Sequence, residues 1–214
     1  TIRFLGSNNS LEDIILTDMG EGFYPATTQI GNLNIIKSRS IDTGGLVLEG
    51  NSNATITALE ISEATNDILI INYTGIANLI NPTLNFTNLN WTTGSFSGSI
   101  NRKYDYTPAV TDSAGNVVPN VSLVLLDIRG DSIFNLLTDS SGTITKQTVT
   151  RAIYDYSFKT GDERGPHTFK VKKFGKNFQT LAKQFSALTV ETLQMSTNPF
   201  VELSEDQVLN LTGI

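Results

Sequence analysis

Few residues of this chain are of types that do covalent chemistry. It has a single histidine, His167, and no cysteine. Disulfides, thiolate metal sites and a Cys nucleophile are excluded together. His167 could be a general base, but a triad would also need an activated Ser, and no G-x-S-x-G is present. The run SFSGS (Ser95–Ser99) has no strand–turn–helix context. A lone His beside a strand reads as a surface or structural residue. Glycoside hydrolysis needs two carboxylates about 5 to 9.5 Å apart. Asp112 and Asp139 both open turns, and the pair could share a Ca²⁺ with backbone oxygens. The preferred reading is that each Asp caps its own turn by accepting nearby N–H groups. Glu12–Asp13 and Asp162–Glu163 read as solvated loop charges. A polysaccharide lyase needs clustered acids and an Arg or Lys base, yet residues 1–100 hold only Arg3, Lys37 and Arg39 as cations. The one basic cluster, KVKKFGK (Lys170–Lys176), reads as a solvated strand face that discourages edge pairing, with an acidic glycan or neighbouring subunit as the alternative contact. No catalytic, cofactor-binding or metal-ligating residue is assigned, and no cofactor is expected.

The elements that would position such groups follow from composition and pattern. The chain has 214 residues, 39% of them hydrophobic and only 17% charged, with a net charge of −6. An acidic surface without a basic run argues against nucleic-acid binding. No apolar run approaches the roughly 18 to 20 residues that span a bilayer, so no membrane insertion is expected. Residues 1–100 carry nine acids against their three cations, whereas residues 101–214 carry twelve of each. That step suggests a domain boundary near residue 100. The chain starts at Thr1 and stops at Ile214 within an apolar phrase, and is expected to be a piece of a longer parent.

The first half reads as short strands between turns: GGLVLEG (Gly44–Gly50), NATITALEI (Asn53–Ile61), NDILIINYTG (Asn66–Gly75) and PTLNFTNLNW (Pro82–Trp91). Each is rich in Leu, Ile, Val, Thr or an aromatic and bounded by Gly, Asn, Asp or Pro. Period-2 alternation shows at Ala54, Ile56 and Ala58, and at Leu84 and Phe86. Two architectures produce this pattern. One is a parallel β-helix with Asn side chains hydrogen-bonded along its turns; the other is an antiparallel sandwich or jelly roll. The β-helix is preferred, although no fixed-period repeat aligns the segments.

The second half is also all strands. NVSLVLLDI (Asn120–Ile128) is apolar on both faces, as a central strand is. A turn falls at Ser140–Gly142, KTGDERGP (Lys159–Pro166) reads as a hairpin tip, and in HTFKVKKFG (His167–Gly175) Phe169 and Val171 oppose Thr168, Lys170 and Lys172. In the tail, Ser204 with Gln207 has capping-box form and predicts a short helix ending at Gly213. The expected division is 1–104 as a β-solenoid-like or sandwich domain, 105–197 as an Ig-like β-sandwich, and 198–214 as a tail.

A family resemblance rests on three phrases. Asp112, Gly115, Pro119, Val121 and Leu123 form the first; Thr138, Asp139 and Gly142 the second; Phe169, Val171, Phe174 and Gly175 the third. With these, residues 106–195 resemble the carboxypeptidase-regulatory-like domain, a small transthyretin-like, Ig-like β-sandwich. The chain departs from its pattern at Thr143, where Tyr is usual, and in the order Phe174–Gly175. The resemblance implies a spacer, stabiliser or adhesion module without catalytic residues. Beside an Asn-rich first half, it suggests a structural component of an extracellular assembly: a virion appendage, phage tail or fibre protein. A prokaryotic adhesin or surface-layer module and a carbohydrate-active enzyme on a β-helix are the alternatives. Expected partners are copies of itself or neighbouring structural proteins, and a surface glycan. Trp91, Tyr104 and Tyr106 are candidates for packing near the junction. Seven N-x-[S/T] sequons, at Asn8, Asn53, Asn72, Asn85, Asn90, Asn120 and Asn210, are glycan acceptors if the host modifies them.

Overall fold

The computed structural model of the protein describes residues 2–3, 9–11, 14–19, 23–24, 28–31, 33–38, 44–51, 53–62, 66–92, 94, 96–173, 180–187 and 189–194. Every regular element among them is a β-strand. In chain order the first eleven are β1 (Ile2–Arg3), β2 (Asn9–Leu11), β3 (Ile14–Met19), β4 (Phe23–Tyr24), β5 (Thr28–Gly31), β6 (Leu33–Ser38), β7 (Gly44–Glu49), β8 (Ala54–Thr57), β9 (Glu60–Ser62), β10 (Asn66–Ile71) and β11 (Ile76–Ile80). Then follow β12 (Leu89–Trp91), β13 (Ser99–Thr111), β14 (Ser122–Leu126), β15 (Ser132–Leu137), β16 (Gln147–Tyr154), β17 (Asp162–Glu163), β18 (His167–Lys172), β19 (Leu181–Lys183) and β20 (Thr189–Gln194). The tail, where a helix was expected, lies outside the described residues.

The chain forms two compact units. The first takes Thr1–Asp105, Thr148–Arg164 and Phe185–Leu188; the second takes Tyr106–Gln147, Gly165–Gln184 and Thr189–Ile214. Strand β13 passes from one to the other at Asp105. The first unit thus takes in strands from beyond residue 105, which a division at residue 104 by sequence does not foresee.

In the first unit, parallel strands stack in three columns. One is β1-β4-β7-β10-β12, a second runs β2-β5-β8-β11-β13, and the third is β3-β6-β9, prolonged by a bridge from Glu60 to Thr83. The chain visits the columns in the same order each time, so every strand pairs with its counterpart one circuit away. Side-chain hydrogen bonds between adjacent circuits join residues 18 to 24 apart. In-register parallel pairing puts like positions above one another. Leu48 pairs with Ile70 and Ile70 with Trp91; Ala54 pairs with Ala77 and Ala77 with Ile100; Ile56 pairs with Leu79 and Leu79 with Arg102. The aliphatic members of these rows are buried and supply nearly half of the core. Each Leu or Ile among them contributes about 1.5 to 3 kcal/mol by leaving water.

Corners between columns use left-handed backbone. Gly50 (φ 67) and Asn72 (φ 44) follow β7 and β10; Ala58 (φ 52) and Asn81 (φ 54) follow β8 and β11. The corner at Ala58 divides NATITALEI into two strands, β8 and β9, rather than the single one expected. In PTLNFTNLNW only Thr83 and Leu89–Trp91 pair; Leu84 and Phe86 lie in the intervening turns, and their alternation is not that of a strand. The returning segment lays β16 beside β13 and β17 beside β16. It adds Ala152 and Tyr154 to the core, with Tyr154 stacked on Phe86 at 5.0 Å.

The second unit holds an antiparallel sheet, β15-β14-β18-β19. Its β14 is central, as the apolar run at Ser122–Leu126 requires. On β18 the burial alternates: His167, Phe169 and Val171 are buried while Lys170 and Lys172 are exposed. Separately, Tyr106–Thr111 of β13 pairs in parallel with β20. The Tyr106 ring packs 5.3 Å from Phe169, which lies 6.4 Å from Phe134.

Candidate functional site

The most ordered polar chemistry in the second unit is a turn built three times. Each copy reads D-x-x-G-x: Asp112–Asn116, Asp127–Asp131 and Asp139–Thr143. In every copy the Gly N–H donates to the Asp carbonyl at 3.0 Å, and the Asp N–H donates to the carbonyl four residues on at 2.8 to 2.9 Å. The glycines, Gly115 (φ 85), Gly130 (φ 88) and Gly142 (φ 71), adopt the left-handed conformation that closes a type I turn with a bulge. Oδ1 of each Asp accepts the N–H groups two and four residues on, at 2.8 to 3.0 Å.

Asp112 and Asp139 are therefore each occupied by their own turns. Asp112 also accepts Asn116 Nδ2 at 3.1 Å, and Asp139 accepts Ser141 Oγ at 2.6 Å and Thr143 Oγ1 at 3.1 Å. The Ser141 hydroxyl, then the Thr143 N–H, hold the Asp139 carboxyl down to about 2. The third copy, at Asp127, was missed from sequence because it sits at the end of an apolar run. The signal was present in the Gly130 three residues on.

The first unit uses carboxylates differently. Asp67 and Asp105 are 6% and 4% exposed. Asp67 accepts Asn85 N at 2.6 Å and Asn88 Nδ2 at 2.9 Å, both from the next circuit. Asp105 accepts Asn81 Nδ2 at 3.1 Å and Thr148 Oγ1 at 2.8 Å, while its N–H donates to Asn81 Oδ1. Asn101 Nδ2 donates to Asn78 Oδ1 at 3.1 Å, and Ile76 N–H to Asn53 Oδ1 at 2.7 Å. Sequence reasoning expected Asn ties along the turns but picked out neither carboxylate.

The remaining sequence candidates disperse. His167 is fully buried on the face of β18 shared with Phe169 and Val171, so it is a core residue rather than a surface one. Asp162 and Glu163 are not solvated loop charges: they form β17 and pair with Arg164 (3.1 Å) and Arg151. Arg102 stacks over Phe86 at 4.5 Å and donates Nε to Tyr104 Oη at 2.8 Å. Burial, then Arg102, lowers the Arg151 guanidinium from its ordinary value. In the basic cluster Lys170 and Lys172 are exposed, but Lys173 donates to the Pro119 carbonyl at 2.6 Å. Trp91 packs on Phe96 and Tyr156 in the first unit and Tyr106 on Phe169 in the second. Asn53, Asn72, Asn85, Asn90 and Asn120 of the sequons are exposed; Asn8, Asn210 and Glu12–Asp13 lie outside the described residues. Among the described residues no three of His, Asp or Glu converge as a metal would need, and no helix is long and apolar enough to cross a membrane. Compared with known proteins, the chain matches no family model, and neither a curated protein nor a solved structure matches it.

Proposed function

We propose that this chain is a non-enzymatic structural component of an extracellular assembly, in the manner of a virion appendage or tail-associated protein. In this reading the first unit is a parallel β-helix. The second is an Ig-like, transthyretin-like sandwich of the carboxypeptidase-regulatory-like kind. One observation carries it: the best-bonded carboxylates of both units hold the chain to itself. Asp67 and Asp105 clamp adjacent circuits, and three Asp residues brace the turns of the second unit. Rigid β-architecture of this kind suits a scaffold that meets copies of itself or neighbouring proteins through its exposed loops.

The test is to image native particles carrying the protein with a gold-labelled antibody raised against the second unit. Label on a tail or fibre supports the reading. Label on a cell envelope replaces it with a surface adhesin, and turnover of a glycan by the purified chain replaces it with an enzyme.

A further inference from the structure

Aromatic rings are sparse in this protein, and most of those whose side chains are described are buried or half-buried. Among the side chains that the structure describes, Tyr156 and Phe158 are the only exposed aromatics, at 46% and 52%. Both sit on the turn between β16 and β17 of the first unit. That turn is fixed: Asp155 Oδ1 accepts the N–H groups of Ser157 and Phe158 at 2.8 Å each, and the Gly161 N–H donates to the Phe158 carbonyl at 3.0 Å. Behind it stand Phe96, stacked on Tyr156 at 4.7 Å, and Trp91, edge-on to both rings. Lys159 Nζ lies 3.9 Å from the Tyr156 ring centroid and has no carboxylate partner among the described residues. The acids nearest in sequence are engaged, Asp155 by the turn and Asp162 and Glu163 by Arg164 and Arg151.

We propose that this turn is a binding site for an acidic saccharide, a uronate-type sugar whose apolar ring face lies on Phe158 and whose carboxylate meets Lys159, the ammonium that Tyr156 holds in place. Aromatic side chains on a turn braced by its own hydrogen bonds offer apolar contact at low entropic cost. The Lys159 ammonium, held on the Tyr156 ring and without a carboxylate partner among the described residues, selects an anion. Trp91 and Phe96 position Tyr156 and need not touch the sugar. This deepens the proposed extracellular role by naming a surface partner and rests on that reading only for its biological setting.

The experiment is calorimetric titration of the intact chain with tetragalacturonate and with maltotetraose. The variants are Tyr156→Ala with Phe158→Ala, and Lys159→Gln, each checked for unchanged β circular dichroism and melting. The expected result is binding of the acidic tetrasaccharide, at least tenfold weaker in either variant and weakened by salt, with the neutral one bound at least tenfold less. Absence of tetragalacturonate binding overturns the proposal, as does binding indifferent to both variants or equal affinity for maltotetraose. Concentration-dependent dimerisation abolished by Phe158→Ala overturns it in favour of a copy of the chain. None of these outcomes bears on where the antibody label falls, so the structural reading stands or falls separately.

Discussion

At the residue scale, the side chains that decide matters are short polar ones bonded to backbone. Asp139 shows this in its titration. Its folded carboxyl titrates near 2 against an ordinary 3.8, because the Ser141 hydroxyl and the Thr143 N–H favour the charged form. A depressed folded value means stabilisation is present above the unfolded value and is lost as pH falls through the folded one. Asp139→Asn should therefore lower the urea midpoint at pH 6, and the difference should shrink between about pH 4 and 2 and vanish below that. Urea melts at these pH values check it, and a wild-type Asp139 resonance titrating near 4 would refute it. Ala58 shows the opposite case, a residue poorly suited to its place. It holds φ 52 at a corner where the next circuit carries Asn81 at φ 54. Left-handed backbone costs an ordinary L-residue roughly 1 to 2 kcal/mol, and Asn tolerates it better. Ala58→Asn should raise stability by about 0.5 to 1 kcal/mol, read as a higher urea midpoint at constant slope.

At the element scale, the columns demand close backbone approach, and Gly98 is where this is tightest. A Cβ there would lie 2.5 Å from the Gly75 carbonyl oxygen and 2.8 Å from Tyr73 Cδ1. The backbone groups cannot retreat without breaking the parallel stack. Gly98→Ala should cost roughly 1 to 3 kcal/mol, as overpacking does. Gly115→Ala is the control: its added Cβ meets nothing within 4 Å, so only the left-handed φ is penalised, at about 1 kcal/mol. Comparing the two melting temperatures separates crowding from conformation. Strands were legible in sequence where β-branched residues ran between Gly and Asn, as at Gly44–Glu49 and Asn66–Ile71. They were illegible where the chain turned a corner on an unmarked residue. Ala58 carries no turn signal, so two strands on different columns read as one. The circuit length drifts as well: Thr28 pairs with Ala54, but Ala54 with Ala77, so no single period aligns the segments. For the candidate site, the Asp112 and Asp139 turns could be read from D-x-x-G. Asp67 and Asp105 could not, because their partners lie a circuit away and only the fold brings them together.

At the scale of the whole molecule, the all-β class follows from composition and alternation, but the order in which the chain builds its units does not. A segment that leaves the first unit at Asp105 and returns at Thr148 has no local mark, since both ends lie within regular strands. Tertiary contacts define the return. Thr148 Oγ1 bonds Asp105 Oδ1 at 2.8 Å, and Ala152 and Tyr154 complete an apolar core with Phe86 and Ile100. Residues 1–105 alone must then expose the rings and aliphatic groups that Ala152 and Tyr154 would bury. By contrast, residues 1–105 joined to 148–164 through a short Gly-rich link of about four residues should keep the core, since the two ends already touch and hairpin loops of that length are common. The joined fragment is expected to be soluble, with β circular dichroism and one cooperative melt, whereas 1–105 alone should aggregate or melt at least 10 °C lower, a shift that on the order of 2 kcal/mol produces in a domain of this size. Equal melting of the two fragments would show that the returning strands contribute nothing, and that the first unit is closed by residues before Asp105.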